Sequence, residues 1–131
     1  MEGPVNNNGE KDKETKVRQY LQHFEEHYGQ VPFITNQISK RQDLFLGYAE
    51  FSNHLMFNPK FLDQKTMELA AISAGAALGA EHCLDVHLRQ ASKFGANDEE
   101  IFEAIMVGAY MAMTRSQSVA LRRYKEFQDH K

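Results

Sequence analysis

Apolar residues recur at steps of three and four along most of this chain, beginning near Thr15. That spacing places them on one side of an α-helix, and no stretch shows the alternation of apolar and polar residues that is typical of a strand. The pattern therefore predicts an all-α fold, a single-domain antiparallel helical bundle over residues 15–131 with short loops. Residues 1–14 are polar and predict a disordered N-terminal arm.

Glycine, proline and capping residues divide the pattern into segments. Helices are predicted at about 15–28, 31–39, 43–57, 63–78, 81–94, 97–113 and 115–127. Asp43 and Asp63 are the expected N-caps of the third and fourth helices, and Asn97 with Glu100 has the spacing of a capping box. Glycines follow three of the segments, as they commonly do at helix ends: Gly29, Gly79 and Gly95.

The composition narrows the class of protein. The chain has 131 residues, 42% of them hydrophobic, and a formal net charge of −3. A nucleic-acid partner is not expected, since no basic stripe is visible, and no apolar run is long enough to cross a membrane. The polar start does not resemble a secretory signal, and one cysteine cannot form an internal disulfide. A cytoplasmic, reducing location is the simplest prediction.

Glu68 is the only charged residue between Lys65 and Glu81, in a helix rich in small residues. Small residues let neighbouring helices approach closely, so we expect this helix to be central. A carboxylate on an apolar helix face needs a partner or a proton. The alternative is that Glu68 is a half-exposed carboxylate near the start of its helix, where the helix dipole favours negative charge.

Cys83 and His87 are four residues apart and lie on one face of the next predicted helix. Cys83 falls in the first turn, where unpaired N–H groups and the dipole stabilise a thiolate, and a nearby imidazole can take or give the thiol proton. The alternative is a small, inert cysteine beside a hydrogen-bonded histidine.

A hairpin about Gly79 would bring these residues together. Residue 87 would then lie level with about residue 71, so Glu68 would be within about 5 Å of His87 along the helix axis. The expected site is a carboxylate that orients an imidazole, which in turn polarises a thiol.

The remaining histidines add little to this site. His82 is next to Cys83 but points about 100° away around the helix; it could line a pocket mouth together with Ala80, and we expect it to be exposed. No metal site is predicted, because His23 and His27 lack a third ligand. No cofactor is predicted either.

Four stretches around these residues resemble the carboxymuconolactone decarboxylase family and, within it, the alkylhydroperoxidase AhpD-like branch. They are Leu62–Leu69, the alanine-rich helix, Cys83-x-x-x-His87 and Ser92–Ile101. That branch carries a glutamate, eleven residues, Cys-x-x-Cys, three residues and a histidine. Here the pattern falls on Glu68, Ala80, Cys83 and His87, and His82 matches a histidine of some members. The resemblance covers about residues 30–127.

This resemblance implies an enzyme with a helical bundle that assembles into trimers or hexamers. It also implies thiol-dependent reduction of hydroperoxides or small disulfides, an antioxidant, peroxidase-type activity. Cys83 would react with the substrate, and Glu68 and His87 would relay protons. The first cysteine of the pair would resolve the oxidised thiol, but Ala80 stands at that position. An external thiol or a redox-protein reductant is therefore an expected partner.

Ala80 leaves other functions open. A single thiol can form a sulfenic acid or a mixed disulfide but cannot close an internal disulfide. The protein could use an external thiol, alanine could replace an original cysteine, or the chain could have left redox chemistry. Other members of the wider family decarboxylate a carboxylated lactone without the cysteine pair, a reaction that needs cations such as Arg89, Arg115 and Arg122. The third possibility is a non-catalytic oligomeric binding protein.

Overall fold

The structure, a computed structural model, describes residues 7–131, and these residues form helices and loops only. The helices are α1 (Asn7–Tyr28), α2 (Phe33–Ile38), α3 (Gln42–Ser52), α4 (Gln64–Leu78), α5 (Glu81–Lys93) and α6 (Asp98–Asp129), with a π-helical turn at Asn53–Phe57 after α3. The predicted all-α fold is therefore confirmed for the part of the chain that is described. None of these helices is long and apolar enough to cross a membrane.

Two predicted boundaries are wrong. α1 begins at Asn7, so residues 7–14 are helical where a disordered arm was expected; residues 1–6 lie outside the described residues. Glutamate and lysine, which are good helix formers, make up four of these eight residues. The helices expected at 97–113 and 115–127 are one helix, α6. No glycine or proline lies between residues 109 and 129, and the Thr114 hydroxyl donates to the Met111 carbonyl inside the helix at 2.9 Å.

The capping residues account for most other boundaries. The Asp63 side chain accepts a hydrogen bond from the Thr66 N–H at the start of α4, and Asn97 and Glu100 form the predicted capping box of α6. Asp43 does not cap α3, because Arg41 occupies the N-cap position and Asp43 lies in the first turn. Arg41 Nε instead contacts the Asp43 carboxylate at 3.2 Å.

The described residues form two compact units that divide after Phe61, where the sequence predicts one domain from residue 15. The first unit holds α1, α2, α3 and the π-helical turn. Its core is a cluster of buried residues centred on aromatic rings: Val17, Phe24, Phe45, Ala49 and Phe57. Phe24 lies edge-on to Phe57 with ring centroids 5.0 Å apart, a favourable aromatic geometry.

The second unit, Leu62–Lys131, contains α4, α5 and α6. α4 packs against both other helices and is therefore central, as its small residues predict. The two helices α4 and α6 approach closely at Gly108, where an added Cβ would overlap the Ser73 carbonyl oxygen of α4. On the other side, an added Cβ at Gly75 would lie 3.1 Å from Leu84 of α5. Small residues thus allow α4 to contact both neighbours at close range.

Candidate functional site

The candidate site is built on the hairpin of α4 and α5. Gly79 ends α4 with a φ of 66°, a left-handed conformation that glycine adopts without strain. Ala80 follows as the N-cap of α5. With only these two residues between the helices, α5 must turn back along α4. The side chains of the two helices therefore face each other from close to the turn onwards.

Glu68 and His87 meet across this hairpin. The Glu68 Oε2 atom lies 2.6 Å from the His87 Nδ1 atom, the length of a strong, charge-assisted hydrogen bond. The side chain of Glu68 is fully buried, and that of His87 is 17% exposed. The predicted approach of these two residues is thus present as a direct contact, whereas the half-exposed alternative for Glu68 is wrong.

The second oxygen of the Glu68 carboxylate is also buried. Oε1 accepts no hydrogen bond from any of the described residues. A buried carboxylate with one bonded oxygen depends strongly on that single partner, because a charge in a water-poor environment is costly unless it is paired. Among the described residues, His87 is therefore the partner on which this carboxylate depends.

Cys83 occupies the first turn of α5, as predicted, and is half-buried. It precedes His87 by one helical turn on the same face, and no hydrogen bond among residues 7–131 involves its thiol. The structure thus brings Glu68 and His87 into contact and places Cys83 one turn away from the pair, next to the N-terminus of α5.

The two residues predicted for a pocket mouth differ in exposure. His82 is exposed, as expected from its direction on the helix, and Ala80 is half-buried at the N-cap position. The backbone of Ala80 is hydrogen-bonded on both sides: its N–H donates to the Gly75 carbonyl at 3.0 Å, and its carbonyl accepts from the Leu84 N–H at 2.9 Å. A side chain at position 80 would therefore start from the same turn that carries Cys83.

The hydrogen bond to Glu68 determines which nitrogen of His87 can exchange a proton. When Nδ1–H donates to the carboxylate, the lone pair of the neutral ring lies on Nε2. Glu68 then stabilises the imidazolium that forms when Nε2 takes up a proton. The pair can therefore act as a general base and afterwards as a general acid.

Gln90 is a buried polar residue near His87 in sequence that the sequence pattern did not single out. It lies one turn after His87 on α5 and is 3% exposed. Its spacing of three residues from His87 is the only signal in the sequence.

Among the described residues, no group of three or more histidine, cysteine, aspartate or glutamate side chains is arranged to hold a metal ion.

Comparison with known proteins gives one match. The family model of the carboxymuconolactone decarboxylase family matches residues 42–126, which include the whole α4–α5 hairpin. No curated protein and no solved structure matches the chain.

Proposed function

The chain belongs to the carboxymuconolactone decarboxylase family, and we propose that it is a thiol-dependent oxidoreductase of the AhpD-like type. In this proposal Cys83 reduces a hydroperoxide or a small disulfide. The observation that carries the proposal is the partly buried 2.6 Å contact between Glu68 and His87, one helical turn from the only thiol of the chain. A paired carboxylate and imidazole beside a cysteine is the usual arrangement for activating a sulfur nucleophile.

The first step oxidises the thiol. The Cys83 thiolate attacks the terminal oxygen of the hydroperoxide, an S–O bond forms and the O–O bond breaks. The leaving alkoxide takes a proton from the imidazolium of His87 and departs as an alcohol, while Cys83 becomes a sulfenic acid. Glu68 acts through His87, because its contact is to Nδ1 and its side chain is buried.

The second step needs a sulfur atom from another molecule. With Ala80 in place of a second cysteine, Cys83 is the only sulfur nucleophile in the chain. A low-molecular-weight thiol would condense with the sulfenic acid, giving a mixed disulfide and water. A second equivalent of that thiol would attack the mixed disulfide, restoring Cys83 and releasing an oxidised thiol dimer. The overall reaction consumes one hydroperoxide and two thiols.

The turnover of cumene hydroperoxide by the purified protein, measured with an excess of a small thiol, tests this function. We expect Cys83→Ser to abolish turnover. Glu68→Gln and His87→Gln should each lower kcat/KM by about 100-fold, the lower end for general acid–base groups. His82→Gln is the matched control, because this exposed imidazole is adjacent to Cys83 but points elsewhere, and it should keep wild-type activity. Mass spectrometry after peroxide alone should find one added oxygen on Cys83.

Two results would contradict the proposal. If Cys83→Ser retains peroxide turnover, the thiol is not the nucleophile. If Cys83→Ser instead converts a carboxylated lactone as fast as the wild type does, the protein is a lyase like the decarboxylase after which the family is named. Circular dichroism of every variant separates loss of chemistry from loss of fold.

A further inference from the structure

The end of the α4–α5 hairpin that carries Cys83 is open to solvent. Leu78, the last residue of α4, is 80% exposed, and nothing lies within 4 Å of a Cβ added at Gly79. The next residue, Ala80, has only a methyl side chain. Side chains of a helix lean toward its N-terminus, so the Cys83 side chain leans toward Ala80, three residues earlier. A small molecule can therefore approach the sulfur from the turn.

α6 runs beside α4 in the same direction. The Lys65 ammonium at the start of α4 pairs with the Glu100 carboxylate in the first turn of α6 at 2.7 Å. Farther along, a Cβ added at Gly108 would lie 2.0 Å from the Ser73 carbonyl oxygen and 3.1 Å from the Ala76 Cβ. A residue of α6 therefore lies level with the residue of α4 that is about 35 positions earlier in the chain.

This register brings Arg115 beside the turn. Arg115 follows Gly108 by seven residues, so it lies on the same, α4-facing side of α6 and about 10 Å farther along the helix. α4 has ended at Leu78 by that level, which leaves Arg115 next to Gly79 and Ala80. The arginine side chain leans toward the start of α6 and so back toward the turn. Arg115 is exposed, and no ion pair among residues 7–131 includes it.

The hairpin itself provides no positive charge at this end. No lysine or arginine lies between Lys65 and Arg89. Glu81 and Asp85 are each two residues from Cys83, a spacing that turns them about 160° away from it around α5. The approach to the thiol is therefore bordered by small, uncharged residues, with the guanidinium of Arg115 above them.

We propose that Arg115 binds the carboxylate of an anionic low-molecular-weight thiol, which attacks the oxidised Cys83 from the side of Ala80. This inference rests on the proposed function and names the class of its reductant. The thiolate sulfur forms an S–S bond with the Cys83 sulfur, and the S–O bond of the sulfenic acid breaks. The departing oxygen takes a proton from the imidazolium of His87 and leaves as water. Arginine suits this role because its guanidinium presents parallel N–H donors to a carboxylate.

Two thiols of the same shape test the charge preference. With cumene hydroperoxide as oxidant, KM is measured for 3-mercaptopropionate and for its uncharged amide. Arg115→Gln should raise the KM for the acid about three- to fivefold, the effect of an exposed ion pair, and leave the KM for the amide unchanged. Arg115→Lys should keep most of the preference, because it keeps the charge. Arg122→Gln, on the same side of α6 but two turns farther from the turn, is the matched control and should behave as the wild type.

The outcomes separate this assignment from the proposed function. Equal effects of Arg115→Gln on the two thiols would overturn the assignment, since a residue that only caps the end of α4 does not distinguish them. An effect of the same size from Arg122→Gln would also overturn it. So would a sulfenic acid at Cys83 that neither thiol reduces. A thiol that peroxide does not oxidise would instead contradict the proposed function. Circular dichroism confirms that each variant is folded.

A second variant tests the direction of approach. Ala80→Val adds two methyl groups beside the sulfur and should slow the reduction of oxidised Cys83 by both thiols about tenfold. Oxidation of Cys83 by peroxide in the absence of thiol should keep its rate in stopped-flow measurements. Asp85→Val, on the opposite side of α5, is the control and should change neither step. Equal slowing of oxidation and reduction by Ala80→Val, or no slowing of reduction, would show that the thiol does not arrive over Ala80.

Discussion

At the level of single residues, the sequence identifies Glu68 by contrast with its surroundings. One charge in an apolar helix indicates that the residue has a special role. It does not tell whether the carboxylate is buried, because that depends on how α5 crosses α4. In the structure, the Glu68 side chain is fully buried and is hydrogen-bonded to His87. Cys83 and His87 could be placed on one face from their spacing, whereas Gln90 could not be distinguished from any other polar residue of α5.

Gly108 is a second residue whose role depends on packing. We expect Gly108→Ala to lower the free energy of unfolding by about 1–3 kcal/mol, because the added methyl group forces α6 away from the Ser73 backbone. Gly47 is the matched control, since it lies in α3 with nothing within 4 Å of an added Cβ. Gly47→Ala should stabilise the protein by about 0.5–1 kcal/mol through helix propensity. Urea unfolding measures both, and destabilisation by both variants to the same extent would contradict the packing argument.

At the level of helices, local capping chemistry made the start and end of α4 and the start of α6 predictable. Asp63, Gly79 and the Asn97–Glu100 capping box all act within a few residues of their own positions. The continuity of α6 was missed because its middle contains polar residues that resemble a loop. Such residues continue a helix when nothing terminates it, and Thr114 forms its hydrogen bond within the helix.

The starts of α4 and α6 are joined by an ion pair with a definite pH dependence. Lys65 Nζ lies 2.7 Å from Glu100 Oε2. This hydrogen bond, and then the one from the Asn97 N–H, lower the pKa of the Glu100 carboxyl below its ordinary value of 4.5. A carboxylate with a lowered pKa stabilises the folded state at pH values above 4.5, and this contribution is lost as the pH falls through the lowered pKa.

Glu100→Gln tests this pair, since glutamine keeps the capping geometry but not the charge. We expect the variant to be less stable than the wild type at pH 7 and the difference to shrink steadily below pH 4.5. Lys65→Gln should remove the same increment, and the double variant should lose little more, because the two side chains share one contact. Urea unfolding from pH 7 to pH 2.5 measures all four proteins. A difference that is independent of pH would show that Glu100 acts only as a cap.

At the level of the whole molecule, periodicity predicts helices but not how they are grouped. The division after Phe61 depends on contacts between side chains that are distant in sequence, and the Asn58–Pro59 pair indicates only a helix break. The family match extends from 42 to 126 and so includes parts of both units. Sequence similarity therefore does not mark the division either.

The segment between the π-helical turn and α4 should be the first site of proteolysis among the described residues. Residues 58–63 are not helical, and Phe61 is 94% exposed. Exposed, irregular backbone fits a protease more easily than a helix does. We expect brief digestion with chymotrypsin to cut after Phe61 and give a fragment that begins at Leu62, which mass spectrometry can identify. Phe61→Ser should remove this first cut, and an initial cut inside α6 would contradict the prediction.

The two-residue turn at Gly79 and Ala80 has a consequence for how the site arises. Glu68 and His87 are only nineteen positions apart. The chain segment that must close to join them is therefore short, and closing a short segment costs less entropy than closing a long one. A constellation encoded in one uninterrupted stretch can be inherited, duplicated or transferred as a unit. The same compactness makes it fragile, because a single inserted codon between these helices would rotate one partner away from the other.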